Sequence, residues 1–249
     1  SRVVRLATTT STDNSGLLEV LLPQFERERG YQVRVISVGT GKALRLGMSG
    51  DVDALLVHAP QSEARFIAGG HGVHRRDIMV TDFILIGPAD DPAALRDATS
   101  AADAFQRLRR GAHAFVSRGD DSGTHKKELD LWRAAGVRAE LPWHLQVGQG
   151  MGKTLQIADE LRAYTLIDRG TWLFLRANSA LRPLYQGDPS LRNPYGAIAV
   201  NPRRHRINFA GACALIEWLA APAGQDAIGA YTVNGERLFT PISRAATGE

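Results

Sequence analysis

The residues best suited to chemistry lie between Ser117 and Trp132, S-R-G-D-D-S-G-T-H-K-K-E-L-D-L-W. The stretch reads as the end of a strand (Ala114, Phe115, Val116), a polar loop, and a helix whose apolar stripe begins at Leu129 and Trp132. Ser122, Gly123 and Thr124 fall where that helix starts, so unpaired backbone N–H groups, two hydroxyls and the positive end of the helix dipole converge there. Arg118 adds a planar guanidinium suited to two-pronged contact with a tetrahedral oxyanion. The set reads as half of a binding site for a small dianion. The plainer alternative is an ordinary helix cap with a solvated Arg118. Recurrence favours the site: strand, small polar loop and helix follow one another again at Thr8, Thr9, Thr10 and Ser11, and at Gly39, Thr40 and Gly41.

Other chemistries fit the residues less well. Gly148 to Thr154, G-Q-G-M-G-K-T, imitates a nucleotide-binding P-loop, but Gly148 and Gly152 enclose three residues where that motif needs four. His71 and His74 have metal-like spacing in a Gly-rich loop, without a carboxylate or thiol partner in view, and read as solvated loop histidines. Ser122, His125 and Asp168 can be written as a hydrolase triad, yet no G-x-S-x-G elbow carries the serine. No catalytic residue and no metal ligand is assigned.

Composition sets the frame for these loops. At 249 residues, 44% hydrophobic and 22% charged, the chain is long enough for one large or two small α/β domains, and no stretch approaches the roughly 20 apolar residues of a membrane helix. The net charge is +4, carried mostly by scattered arginines without interleaved aromatics, which speaks against nucleic acid and for gathering small anions. The single cysteine, Cys213, lies in an apolar helical run and reads as packing. The four tryptophans, Trp132, Trp143, Trp172 and Trp218, read as core.

Strands and helices alternate along the chain. Val3 to Ala7, Tyr31 to Val38 and Ala54 to Val57 read as parallel strands, each followed by a loop and a helix. In the first loop Asp13, Asn14 or Ser15 is expected to cap the next helix, leaving the Thr8 to Ser11 hydroxyls free for a ligand. After the long apolar strand Ile78 to Gly87 the alternation begins afresh, and Ala197 to Val200 brings the chain back before two final helices. The expected fold is therefore α/β, two doubly wound lobes joined by a two-strand hinge. Residues 1–84 with 197–249 form lobe I and 85–196 form lobe II, with a ligand cleft between them.

Several segments together resemble the tungstate-binding proteins of bacterial ABC importers. They are T-T-T-S-T-D-N-S-G-L-L (Thr8 to Leu18), G-T-G-K-A-L (Gly39 to Leu44), G-D-V-D-A-L-L-V-H (Gly50 to His58), D-F-I-L-I-G-P (Asp82 to Pro88), S-R-G-D-D-S-G-T-H-K-K-E, G-M-G-K-T-L (Gly150 to Leu155) and D-R-G-T (Asp168 to Thr171). The resemblance runs in order over most of the chain, departing at Thr81, where Asn is expected. It implies a type II periplasmic binding protein fold, a periplasmic or extracytoplasmic monomer, and delivery of tungstate or molybdate to an ABC permease. It also implies ligand contacts at Thr9, Ser11, Thr40, Arg118, Ser122, Gly123 and Thr124, with no further cofactor and no enzymatic activity.

The residues themselves leave the ion more open. Donors suffice for a fully ionised oxyanion, whereas phosphate near neutral pH carries a proton that needs an acceptor in the site. The first two loops offer only Asp13, the third strand ends in His58, and Asp120 and Asp121 are expected to orient Arg118 or cap the helix. That favours tungstate, molybdate or sulfate over phosphate. The alternatives are a binding protein for another oxyanion, an enzyme acting on a phosphorylated metabolite, or the sensing part of a regulator that would need a further domain.

Overall fold

Apolar runs bounded by glycine and proline fix most of the local structure in the computed structural model, which describes residues 2–242. β1 (Val3–Thr9) leads directly into the five-residue helix α1 (Thr10–Asn14), and α2 (Leu17–Arg29) buries Leu17, Leu18, Leu21, Leu22 and Phe25 on one stripe. Gly30 ends α2 in the left-handed region with φ 68°, a conformation that needs no Cβ. β2 (Gln32–Val38), α3 (Thr40–Ser49), β3 (Ala54–Val57), α4 (Pro60–Ala68) and β4 (Gly72–Gly87) follow.

After β4 come α5 (Ala101–Arg110), β5 (Phe115–Ser117), α6 (Gly123–Ala134), β6 (His144–Gln146), α7 (Met151–Glu160), β7 (Thr165–Asp168), α8 (Arg169–Leu175), β8 (Arg182–Tyr185) and β9 (Arg192–Val200). The last elements are α9 (Phe209–Ala220), α10 (Pro222–Ala230) and the short strands β10 (Thr232–Val233), β11 (Glu236–Arg237) and β12 (Thr240–Pro241).

The chain divides into two units. One contains the chain up to Val80 and from Pro194 onward, the other Thr81–Asn193. The crossings thus fall a few residues before the positions expected from the sequence, and the last seven residues of the expected lobe I lie outside the described residues.

In the first unit the strand order is β12-β4-β9-β3-β1-β2. β1 pairs in parallel with β2 (Thr9 opposite Val38) and with β3 (Thr8 opposite Leu56). Ala7, Leu55, Val57, Ile198 and Val200 join Ala43 and Phe66 of α3 and α4 in one buried layer. On the opposite side Phe25 of α2 meets Trp218 of α9 edge-on, with ring centroids 5.8 Å apart. Each side chain buried in this way contributes about 1.5–3 kcal/mol.

In the second unit β5 pairs in parallel with β6, and Phe115 bridges in parallel to Tyr164 just before β7. β7 and β8 both run antiparallel to β4. Alternation along β4 builds two layers: Phe83 and Leu85 pack with α5 and α6 residues such as Phe105 and Trp132, while Ile84 and Ile86 pack with α7 and α8 residues such as Leu155 and Trp172. The expected α/β units are present, but neither sheet is wholly parallel. β9 is also antiparallel to β3. A strand that arrives from the other unit, without a crossover helix in its own, is free to run either way.

Candidate functional site

Parallel pairing decides where the polar loops gather. In the first unit β1, β2 and β3 end at one edge, so the starts of α1, α3 and α4 lie together there. In the second, β5, β6 and β7 end at one edge, with Ser122, Gly150 and Asp168 as the caps of α6, α7 and α8. Ligands of α/β sheets bind at such carboxyl-terminal edges. Thr9, Ser11 and Thr40 are thus brought to one edge of the first unit, and Arg118, Ser122, Gly123 and Thr124 to one edge of the second.

Thr9 is more engaged than its sequence position suggests. Its side chain caps α1 by accepting the Thr12 N–H, and its Oγ1 lies 2.6 Å from Thr12 Oγ1, 3.0 Å from His58 Nε2 and 3.2 Å from Ser11 Oγ. Ser11 is exposed and sits 3.5 Å from the same imidazole nitrogen. The expectation that the Thr8 to Ser11 hydroxyls are all free is corrected here. Thr8 Oγ1 donates to the Leu56 carbonyl at 2.8 Å, and Thr9 caps α1, which starts at Thr10; the cap residue of α2 is Gly16 at φ 78°, and of the three expected residues Ser15 reaches that helix, its Oγ accepting the Leu17 N–H at 3.3 Å. His58, which the sequence marks only as the end of the third strand, joins this cluster through Thr9. It stacks on Tyr195 with centroids 4.5 Å apart. The Ala59 N–H beside it donates to the fully buried Glu63, which also accepts from Arg75 Nε at 3.1 Å. Burial pushes the Glu63 carboxyl up despite the Ala59 N–H and the Arg75 guanidinium. Thr40 opens α3 next to Gly39, where a methyl group would meet nothing within 4 Å.

The Arg118 loop is built by two left-handed residues. Gly119 has φ 59°, and a Cβ there would come within 2.8 Å of Gln146 Cβ, so glycine is required twice over. Asp121 adopts φ 58°, which Asp tolerates better than most residues, and its N–H donates to His125 Nδ1 at 3.0 Å. Arg118 is oriented by Asp120: Nε and Nη2 donate to Oδ2 at 3.1 and 2.6 Å, while Asp120 Oδ1 accepts the Ser122 N–H at 3.2 Å. Burial raises the Asp120 carboxyl, but its bonds from Ser122 and Arg118 outweigh it and hold the group below the usual carboxylate range. Asp120 therefore orients Arg118, and Asp121 points to solvent towards Lys126 at 3.5 Å.

What remains at this edge is donors. Ser122 Oγ accepts the His125 N–H at 3.2 Å, and Lys126 N–H reaches the Ser122 carbonyl. The N–H groups of Gly123 and Thr124, the first two of α6, have no acceptor among the described residues, nor does Arg118 Nη1. A methyl group on Gly123 would meet nothing within 4 Å, so the space in front of these groups is open. Asp168 is occupied with the N–H and hydroxyl of Thr171, both at 2.9 Å.

The triad written from sequence is not assembled. His125 Nδ1 takes the Asp121 N–H, Ser122 Oγ serves as a cap, and Asp168 holds Thr171. G-Q-G-M-G-K-T forms the cap and first turn of α7, with Thr154 Oγ1 donating back to Gly150 O at 2.9 Å. Neither histidine of the 71–74 pair is simply solvated: His71 Nδ1 faces Arg204 Nη1 at 3.3 Å, and His74, inside β4, lies 2.7 Å from Glu217.

Comparison with known proteins points the same way. The PBP superfamily domain matches residues 2–223. The tungstate-binding protein TupA of Peptoclostridium acidaminophilum is 46% identical over 241 residues, which is 95% of this chain and 84% of that protein. The tungstate-binding protein TupA from Desulfovibrio alaskensis G20 superimposes with a TM-score of 0.92 at 42% identity, over 97% of this chain and 99% of that one. The tungstate ABC transporter structure from Geobacter sulfurreducens does so with 0.81 at 48% identity, over 92% and 98%. This chain therefore belongs to the PBP superfamily and, within it, to the family of ABC transporter tungstate-binding proteins, which bind substrates and are not enzymes.

Proposed function

We propose that this chain captures tungstate or molybdate outside the cytoplasm, as a monomer, and delivers it to an ABC permease. Thr9, Ser11 and Thr40 of one unit and Arg118, Ser122, Gly123 and Thr124 of the other are its hydrogen-bond donors. The observation that carries this reading is the second unit's edge: an Arg fixed by Asp120, two helix-start N–H groups without acceptors among the described residues, and the Asp120 and Asp168 carboxylates already taking donors from Arg118, Ser122 and Thr171. Such a set satisfies an oxyanion that brings no proton, since each charge-assisted bond is worth about 1.5–3 kcal/mol and seven together outweigh its desolvation. Tungstate and molybdate share charge and shape, and the names of the relatives support trying tungstate first.

A melting-temperature titration tests it. At a ligand concentration 1,000 times the dissociation constant the fold gains about 4 kcal/mol, which in a chain of this size raises Tm by about 8–16 °C. Tungstate and molybdate are expected to give such a saturable shift without turnover. No shift with either, and a clear one with phosphate or a nucleotide, would contradict the proposal.

A further inference from the structure

Behind the Arg118 loop lies a carboxylate that no ligand can reach. Glu128 is 2% exposed, on the second turn of α6, and its two oxygens take three donors from three places. Ser117 Oγ donates to Oε2 at 2.6 Å, Trp132 Nε1 to Oε1 at 3.0 Å, and His144 Nε2 lies 2.8 Å from Oε1. His144 is itself 4% exposed and stacks flat on Phe115, with centroids 5.8 Å apart. Three elements therefore meet at one buried group: the end of β5, the body of α6 and the start of β6.

We propose that Glu128 is a positioning residue for the oxyanion site, acting through the Ser117 hydroxyl to hold the Arg118 backbone against the start of α6. The inference rests on the functional reading above and adds a residue that touches no ligand. Ser117 directly precedes Arg118, and Glu128 belongs to the helix that starts at Gly123, so this one bond ties the guanidinium-bearing loop to the helix that supplies the free N–H groups. The same loop is sewn to the far side by Val147 N–H to Ser117 O at 3.0 Å and Gln149 N–H to Arg118 O at 3.2 Å. Within the loop, Asp120 orients the Arg118 side chain and takes the Ser122 N–H at the start of α6. The Ser117–Glu128 bond is the buried side-chain anchor that complements those backbone bonds, tying the strand end to the body of α6. A buried carboxylate is costly to keep unless every oxygen is bonded, and here the donors come from the end of β5, from α6 itself and from the start of β6. Binding groups have to be held to about 0.5 Å by such supporting contacts; at metal centres, removing a partner that supports a ligand residue typically costs about 10- to 100-fold in affinity.

The test compares the full chain with Ser117→Ala and Ser117→Thr by calorimetric titration with sodium molybdate and by amide hydrogen exchange without ligand. Expected for Ser117→Ala is about tenfold weaker binding, equivalent to about 1.4 kcal/mol. Exchange should speed up at the His125 and Gln149 amides and stay at the parent rate in α5 and α7. Ser117→Thr, which keeps the hydroxyl, is expected to restore both. Should Ser117→Ala fail to fold, Glu128→Gln, an uncharged amide of the same volume, takes its place in both measurements. Parent-like affinity with parent-like exchange at those amides overturns the proposal, and so does faster exchange spread evenly over the second unit. If the unmodified chain binds neither molybdate nor tungstate, the functional reading fails, and the exchange pattern alone decides whether Glu128 holds the loop.

Discussion

Replacing Arg118 with alanine separates a ligand contact from a structural one. Among the described residues its side chain bonds to Asp120 alone, two positions away, and both side chains are partly exposed at 19% and 22%. An ion pair of that kind is worth about 0–1 kcal/mol to folding, so the melting temperature of the free variant should fall by no more than about 4 °C. The loss in binding is larger. A guanidinium offers two parallel charge-assisted bonds to an oxyanion, each worth about 1.5–3 kcal/mol, so about 3–6 kcal/mol is at stake and affinity should drop about 100- to 10,000-fold. Two details sharpen the expectation. Removing the guanidinium leaves the ionised Asp120 facing the dianion, which pushes the loss towards the upper figure. Arg118→Lys restores a point charge without the planar fork and should fall between alanine and the parent. Calorimetric titration with tungstate at fixed ionic strength gives both numbers. An alanine variant that binds within about threefold of the parent, a difference of about 0.6 kcal/mol, would refute the reasoning.

Three further outcomes follow from single observations. Gly123→Ala places a methyl group in open space at the first helical position, so the free protein should melt at or slightly above the parent temperature, with a gain of up to about 1 kcal/mol, while tungstate affinity falls because the space is the ligand's; unchanged affinity would mean that no ligand approaches there. Thr9→Val keeps the shape but removes the α1 cap and the bond to His58, which should cost about 1–2 kcal/mol of stability in a denaturant titration as well as binding. Asp188 is raised by burial but pulled down to about 2 by Ser190, the Ala101 N–H and the Tyr185 hydroxyl. Its folded value lies below its unfolded one, so its contribution is complete above about pH 4 and is lost as the pH falls through about 2. Asp188→Asn should therefore flatten the parent's loss of stability across that window, read by melting temperature against pH.

How much of this was legible in the residues differs from element to element. Long apolar runs such as those of α2 and the second half of β4 announce themselves through their period, and the loops after β1, β2 and β5 through their small polar residues. The five-residue helix α1 does not, because it is shorter than one hydrophobic repeat and made of Ser, Thr, Asp and Asn, the residues that usually cap helices rather than fill them. The first half of β4, H-R-R-D, reads as loop because its side chains are largely solvent-facing, although the backbone is paired. β8 and the terminal strands β10 to β12 have four residues or fewer, too few to show alternation. At the site, the pairing of Arg118 with Asp120 could be anticipated from two adjacent acids after an arginine. The burial of Glu128 could not, since its partner His144 lies 16 residues on and a lone Glu on a helix usually faces water. His58 was visible as the end of a strand, but only the register of β1 on β3 shows that it meets Thr9.

The most direct measurement is an anomalous-scattering map at a tungsten edge from crystals grown with tungstate. A single tungsten peak is expected, its oxygens accepting from Arg118, the Gly123 and Thr124 N–H groups and the hydroxyls of Thr9, Ser11, Thr40 and Ser122, with no carboxylate oxygen in contact. A peak away from Arg118, or one with Asp120 or Asp168 pressed against the ion, would contradict the account.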